Sequence, residues 1–230
     1  MNKTSKRIRS VGSFGLILFC FIFVGCSTKG RDYSIHSVNL TDVQFKDNFW
    51  SFRIENNRKV TIPHSFKESE ETGRVKNFEI AGGLASGDFC SRYPFDDSDV
   101  YKLIEGASYQ LRLQPDPELD KYLDELISKI AAAQEKDGYL YTARSIKNKG
   151  GKIPLEEWVT GKRWEREQDA HELYNAGHLY EAAVAHYQAT GKKTLLNIAL
   201  KNTELILKDF GPNKVRLPPG HQEIEIGLVK

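Results

Sequence analysis

Cysteine is nearly missing from this chain: its 230 residues hold three, Cys20, Cys26 and Cys90. Cys20 lies in an apolar N-terminal run and Cys26 at that run's end, so one thiol is left for the body of the protein. No disulfide framework can form from one thiol, and the fold has to rest on its core. Charge of one sign is also scarce. The formal balance is +2, and no Lys/Arg stripe with interleaved aromatics occurs, which argues against nucleic acid as a partner. There is no glycine-rich loop to cradle a phosphate, no visible Ser-His-Asp order, and no repeat of fixed period to mark an open solenoid. His171-Glu172 opens like a metalloprotease helix, but the residue four positions after His171 is Asn175, which breaks the pattern of two histidines sharing a zinc ion.

What is present begins with an address. Lys3, Lys6, Arg7 and Arg9 form a basic leader, and Val11 to Val24 is almost wholly apolar. That run is too short and wrongly flanked for a stable membrane span and fits a secretory signal. It ends in Phe23-Val24-Gly25-Cys26, which resembles a bacterial lipobox with Phe23 in place of the usual leucine. Residues 1–25 are therefore expected to be a signal peptide and residues 26–36 a lipidated tether, with Cys26 as the lipidation site. Loss of the leader lowers the formal charge from +2 to about −2. Ser27 gives no obvious inner-membrane retention signal, so an outer-membrane lipoprotein, facing the periplasm or the exterior, is the expected location.

From Val38 to Ile62 the pattern suggests short β-like pieces, such as Trp50-Ser-Phe-Arg-Ile, packed as a lead-in against the main body. Gly73 to Pro94 reads mostly as loop. Helical signals follow. Asp99 is a candidate cap for a helix ending near Pro115, and Pro117 starts a helix with Leu119, Tyr122, Leu123, Leu126, Ile127, Ile130 and Ala131 at i, i+3, i+4 spacing. Asp137-Gly138 closes it. A helix over about 169–190 buries Leu173, Ala176, Tyr180, Ala183, Val184 and Tyr187. Its partner over about 193–208 uses Leu195, Ile198, Ala199, Leu205 and Ile206, and a last helix begins near His221 and is cut off at Lys230. Helices paired by short turns predict an all-α array closing on itself.

Several residues could carry chemistry. His171 and His178, seven apart with Asn175 between them, lie on nearly one helix face and could hydrogen-bond a ligand's hydroxyls; a solvated face, or a buried histidine satisfied by backbone, is the alternative. His221 with Glu223 and Glu225 opens another helix after Pro218-Pro219-Gly220, where capping alone would also explain the glutamates. Asp96, Asp97 and Asp99 crowd a loop and suggest acid/base work, cation binding or plain helix capping. Trp158, Trp164, Tyr139 and Tyr141 could stack on sugar faces or simply pack.

Five ordered motifs carry a family likeness: Gly73-Arg-Val-Lys-Asn-Phe78, Asp97-Ser-Asp-Val-Tyr-Lys102, Ala131-Ala-Ala-Gln-Glu-Lys-Asp-Gly-Tyr-Leu140, His171-Glu-Leu-Tyr174 with Gly177-His178-Leu, and Gly220-His-Gln-Glu-Ile224. Together they resemble the N-terminal half of the β-L-arabinofuranosidases of glycoside hydrolase family 127 and its relative, family 146. The resemblance implies a partial (α/α)6 barrel over residues 37–230. It also implies removal of non-reducing-end β-L-arabinofuranose from plant-type glycans or glycoproteins, with retention. The nucleophile implied is a cysteine held by zinc through further cysteines and a glutamate, with a separate glutamate as acid/base; none of these can be placed in this chain. His171 and His221 match histidines that contact the arabinofuranose ring, while Asp99 and Tyr101 are expected to support the barrel.

The partners expected are then an arabinose-containing oligo- or polysaccharide and a membrane through the lipid anchor. An (α/α)6 hydrolase or lyase using Asp96, Asp97 or Asp99, a non-catalytic glycan-binding lipoprotein, and a helical scaffold for protein partners stand as alternatives. Two and a half of six hairpins would leave apolar helix faces in water, so residues 27–230 alone are expected to be poorly soluble or molten, and inactive.

Overall fold

Proline and glycine set the punctuation of the helices. The computed structural model of the chain describes Ile35 and residues 37–230. The signal peptide, the lipidation site Cys26 and most of the tether lie outside the described residues. Residues 38–230 form one unit; it is helical, and no strand occurs among the described residues.

The N-terminal stretch departs from the β-like lead-in expected for it. Trp50–Asn56 (α1) runs through a π-helical turn at Asn57–Thr61 into Ile62–Glu71 (α2). Asp47 explains the start: its Oδ1 accepts from the backbone N–H of Phe49 (2.7 Å) and Trp50 (2.5 Å), satisfying donors that a helix leaves open. Pro63 has no N–H to give to Lys59, and the register widens to a π turn immediately before it. The 73–94 stretch also departs from expectation, because Arg74–Gly82 is a helix (α3). Gly73 (φ 82°) and Gly83 (φ 75°) bracket it in left-handed conformations, so glycine there marks both ends of a helix and not a continuous loop.

The remaining helices are Asp97–Leu113 (α4), Pro117–Ala133 (α5), Thr142–Asn148 (α6), Glu167–Ala170 (α7), Glu172–Thr190 (α8), Thr194–Asp209 (α9) and Glu223–Val229 (α10), with a 3-10 turn at Glu156–Trp158; the long ones follow the sequence pattern, whereas α6 and the break between α7 and α8 depart from it. Asp116 caps α5 by accepting from Leu119 N–H at 3.1 Å, and Pro117 occupies its first turn. Asp99 lies inside the first turn of α4 and is not its cap.

The core runs between α4 and α8. Val100, Tyr101, Ile104 and Ala107 face Leu173, Leu179, Ala182 and Ala183, all buried. Helices α8 and α10 meet without intervening side chains. A Cβ on Gly177 would lie 2.5 Å from the Glu223 carbonyl carbon, and one on Gly227 would lie 2.6 Å from the Gly177 oxygen. That close approach places His221, just before α10, against His171, just before α8.

Candidate functional site

His171 sits where α7 ends and α8 begins, with φ 58° and ψ 38°. A left-handed non-glycine residue costs on the order of 1–3 kcal/mol and persists only where its surroundings over-determine it. Here they do. Tyr141 Oη donates to the Ala170 carbonyl (2.7 Å), and the Glu167 carboxylate reaches across the kink to accept from Leu173 N–H (2.9 Å). Next to His171, Glu172 is anchored in the interior. Its two oxygens receive Arg144 Nη2 (2.7 Å), Tyr139 Oη (2.5 Å) and the Trp164 N–H (3.2 Å), and Arg144 Nε reaches back to Tyr139 Oη (2.8 Å). A charged pair this deeply buried is stable only with such additional hydrogen bonds.

The ring of His171 is oriented by the same segment. Its Nδ1 lies 3.1 Å from the Glu167 carbonyl oxygen. A carbonyl can only accept, so Nδ1 is the donor in this contact. The His221 ring centroid lies 4.9 Å away, edge-on at 80°. Tyr174 lies 5.8 Å from His171 and 5.2 Å from His221, and Phe95 lies 4.7 Å from His171. Gly220 permits this: a Cβ there would sit 2.4 Å from the Glu167 oxygen and 3.0 Å from His171 Nδ1. The two histidines singled out in the sequence are therefore in contact.

His178, the other histidine of that face, belongs to a separate seam. Its Nδ1 is 3.2 Å from Glu223 Oε1 and 3.9 Å from Glu181. Burial, with help from the Lys102 charge, lowers its pKa to about 4, so it is neutral at pH 7. Burial, then a hydrogen bond shared with Glu181, raises Glu223 to about 7. The rest of the cluster is electrostatic support: Tyr174 Oη accepts from Lys102 Nζ (2.7 Å), which also lies 3.7 Å from Asp99.

Two of the three aspartates share a partner. Asp99 accepts from Arg74 Nε (2.8 Å), and Asp96 lies 3.6 Å from Arg74 Nη2 while accepting from the Tyr93 N–H (3.2 Å). Asp97 is buried and accepts from Thr142 N–H (2.8 Å) and Thr142 Oγ1 (2.5 Å). Burial pushes its pKa to about 7, against the pull of the Thr142 hydrogen bonds. Burial likewise raises Glu167 to about 8, with the Glu172 charge adding to it. Tyr101 packs in the core against Phe78 (5.7 Å). Of the four loop aromatics considered for sugar stacking, Tyr139, Tyr141 and Trp164 are buried and hydrogen-bonded within the protein; only Trp158 is half-exposed.

The described residues do not assemble a thiolate centre. Cys90 is exposed and its Sγ lies 3.4 Å from the Asp88 carbonyl, with no second described thiol to share a metal.

Comparison with known proteins bears on this geometry. The family described as "Beta-L-arabinofuranosidase, GH127 catalytic domain" matches residues 42–230. The chain belongs to glycoside hydrolase family 127. A curated relative, the non-reducing end β-L-arabinofuranosidase of Bifidobacterium longum subsp. longum, is 40% identical over 158 residues, covering 68% of this chain and 23% of that protein. Among solved structures, a family 127 β-arabinofuranosidase is 46% identical with a TM-score of 0.77, covering 84% of this chain and 30% of the other. The family 127 β-L-arabinofuranosidase of Geobacillus stearothermophilus is 39% identical with a TM-score of 0.74, covering 81% and 29%. The chain thus spans about a quarter to a third of the length of these relatives. Its helices fit the α/α-type fold of the family 127 structures.

Within that fold, Phe95, Tyr174, Glu167 and Arg144 escaped sequence reasoning as site residues. Tyr174 stands three positions after His171 in a helical pattern, which was a usable signal. Phe95, Arg144 and Glu167 reach the site only through tertiary contacts.

Proposed function

We propose that this chain is the sugar-holding N-terminal part of a glycoside hydrolase that releases non-reducing-end β-L-arabinofuranose from plant-type glycans. The observation that carries the reading is the His171–His221 contact on a family 127 scaffold. His171 Nε2 and the His221 ring offer polar atoms to the hydroxyls of a five-membered sugar, and Phe95 and Tyr174 close the apolar sides. Small ligands are commonly held this way, with a few fixed polar groups in an aromatic setting. His178 and Glu223 brace the α8–α10 seam behind them.

The chemistry proposed for the whole protein is retaining, through a zinc-held cysteine, and these residues would lie beyond residue 230. The residues described here do not fit such a centre, so their part is to bind and orient the sugar. The proposed location is the outer membrane, with Cys26 lipidated; the basic leader and Phe23-Val24-Gly25-Cys26 support it. Labelled palmitate incorporated by the wild type and lost in Cys26→Ala would bear this out, and equal labelling would refute it.

The decisive assay follows arabinose release from a β-L-arabinofuranosyl disaccharide by the intact protein that carries residues 1–230. His171→Ala and His221→Ala are each expected to lower kcat/KM by about tenfold, since each removes hydrogen bonds to sugar hydroxyls of about 0.5–1.5 kcal/mol apiece. Tight binding with no product would instead favour a non-catalytic glycan-binding lipoprotein.

A further inference from the structure

Toward the far end of α8 another histidine is unexplained. His186 is fully buried, yet neither of its ring nitrogens has a hydrogen-bond partner among the described residues. It stands fifteen positions after His171, about 22 Å away at about 1.5 Å per helical residue, so the sugar site does not account for it. Orphaned polar atoms in an interior cost free energy and call for a partner.

A pair of carboxylates faces this ring. Asp120 and Asp124, one turn apart and so on one face of α5, bring oxygens within 4.8 Å of each other and of a His186 nitrogen. Lys192, in the linker after α8, places Nζ 2.7 Å from each carboxylate. The ammonium neutralises the aspartates but makes no bond to His186. Its side chain is 34% exposed, and a lysine stem is flexible enough to withdraw into water. Burial lowers the pKa of His186 against the pull of the Asp124 charge, so the ring is neutral at pH 7 and keeps a lone pair.

We propose that Asp120, Asp124 and His186 form a site for a divalent transition-metal ion that ties α5 to α8, with Lys192 holding the carboxylates together until the metal displaces it. One imidazole nitrogen with two carboxylate oxygens suits zinc, cobalt or nickel; calcium and magnesium take oxygen ligands alone. Ligand atoms no more than 4.8 Å apart close onto one ion, at bonds of about 2.0–2.2 Å, with small side-chain movements. Asp124 is exposed, so water can complete the shell. No thiol takes part, which separates this site in chemistry from a zinc-held cysteine.

The test adds cobalt(II) alone to the intact protein that carries residues 1–230 and reads binding by optical titration and by Tm. Cobalt on nitrogen and oxygen donors gives weak d–d bands without the intense charge-transfer band of a cobalt thiolate, so a cysteine centre elsewhere does not obscure it. The wild type is expected to show such bands and a higher Tm with cobalt. His186→Gln and Asp124→Asn are each expected to raise the cobalt Kd by at least about tenfold. Asp124→Asn, at an exposed position, carries the test alone should the buried substitution not fold. Lys192→Met is expected to lower Tm without metal, because the aspartates lose their partner, and to lower the cobalt Kd several-fold, so that cobalt restores the lost stability. Wild-type protein without thiolate-free cobalt bands overturns the site. So do bands that Asp124→Asn leaves unchanged; the cluster is then a lysine-bridged ion pair beside an isolated histidine.

Discussion

At His171 the chain accepts a left-handed backbone, and the groups that hold it there are all buried and polar. Breaking that support is expected to be costly. Arg144→Leu leaves Glu172 buried without its partner, and a loss of about 3–5 kcal/mol is expected by chemical denaturation; Glu172→Gln with Arg144→Leu should recover part of it. Glu167 gives a pH test. Its folded pKa of about 8 lies above its ordinary value of 4.5, so its contribution to stability is fully present below about 4.5 and is lost as pH rises through about 8. Glu167→Gln keeps an oxygen for the Leu173 N–H and removes that slope. Its Tm relative to wild type should therefore rise between about pH 5 and pH 8 and level off above; parallel curves would refute the assignment. None of this was legible in the sequence, where Glu167 and Arg144 look like ordinary surface charges.

At the scale of elements, hydrophobic periodicity was a good guide where one face is buried. In α5, Leu123, Leu126, Ile127 and Ile130 are buried as the spacing predicts, and in α9 so are Leu195, Ile198, Ala199, Leu205 and Ile206. Periodicity failed at the N-terminus, because Phe49, Trp50 and Phe52 remain exposed and share no buried face. Their alternation imitated a strand, and the Asp47 cap was the signal that decided for a helix. The glycines of α8 and α10 were invisible as packing residues, since a helical glycine announces only reduced propensity. Gly227→Val should insert its side chain against the Gly177 oxygen and the Tyr180 side chain. The expected loss is about 1–3 kcal/mol in thermal unfolding, with weakened arabinoside binding, because α10 carries His221 into place.

At the scale of the whole molecule, apolar residues remain in water on the later helices: Leu200 and Leu207 on α9, and Ile226, Leu228 and Val229 on α10. The family 127 relatives are about three times as long, and a closed barrel would cover such faces. Residues 27–230 produced alone are therefore expected to bind a hydrophobic dye strongly and to show weak near-UV dichroism, whereas the intact protein should do neither. A sharp cooperative melt of the isolated piece would contradict this. Among the described residues no helix is long and apolar enough to cross a membrane.

Local chemistry in the sequence settled the helical class, the long helices after residue 96 and the family, and it singled out the two histidines. Each of these depends on short-range spacing: a buried stripe, a proline or glycine stop, or a motif a few residues long. Only the tertiary structure decided that His171 and His221, fifty positions apart, share one site. Only it separated Trp158 from three buried aromatics, and set Asp96 and Asp99 on Arg74 but Asp97 on Thr142. Those outcomes depend on which helices approach closely enough to touch, and that is fixed by small residues and buried polar pairs whose roles no local pattern records.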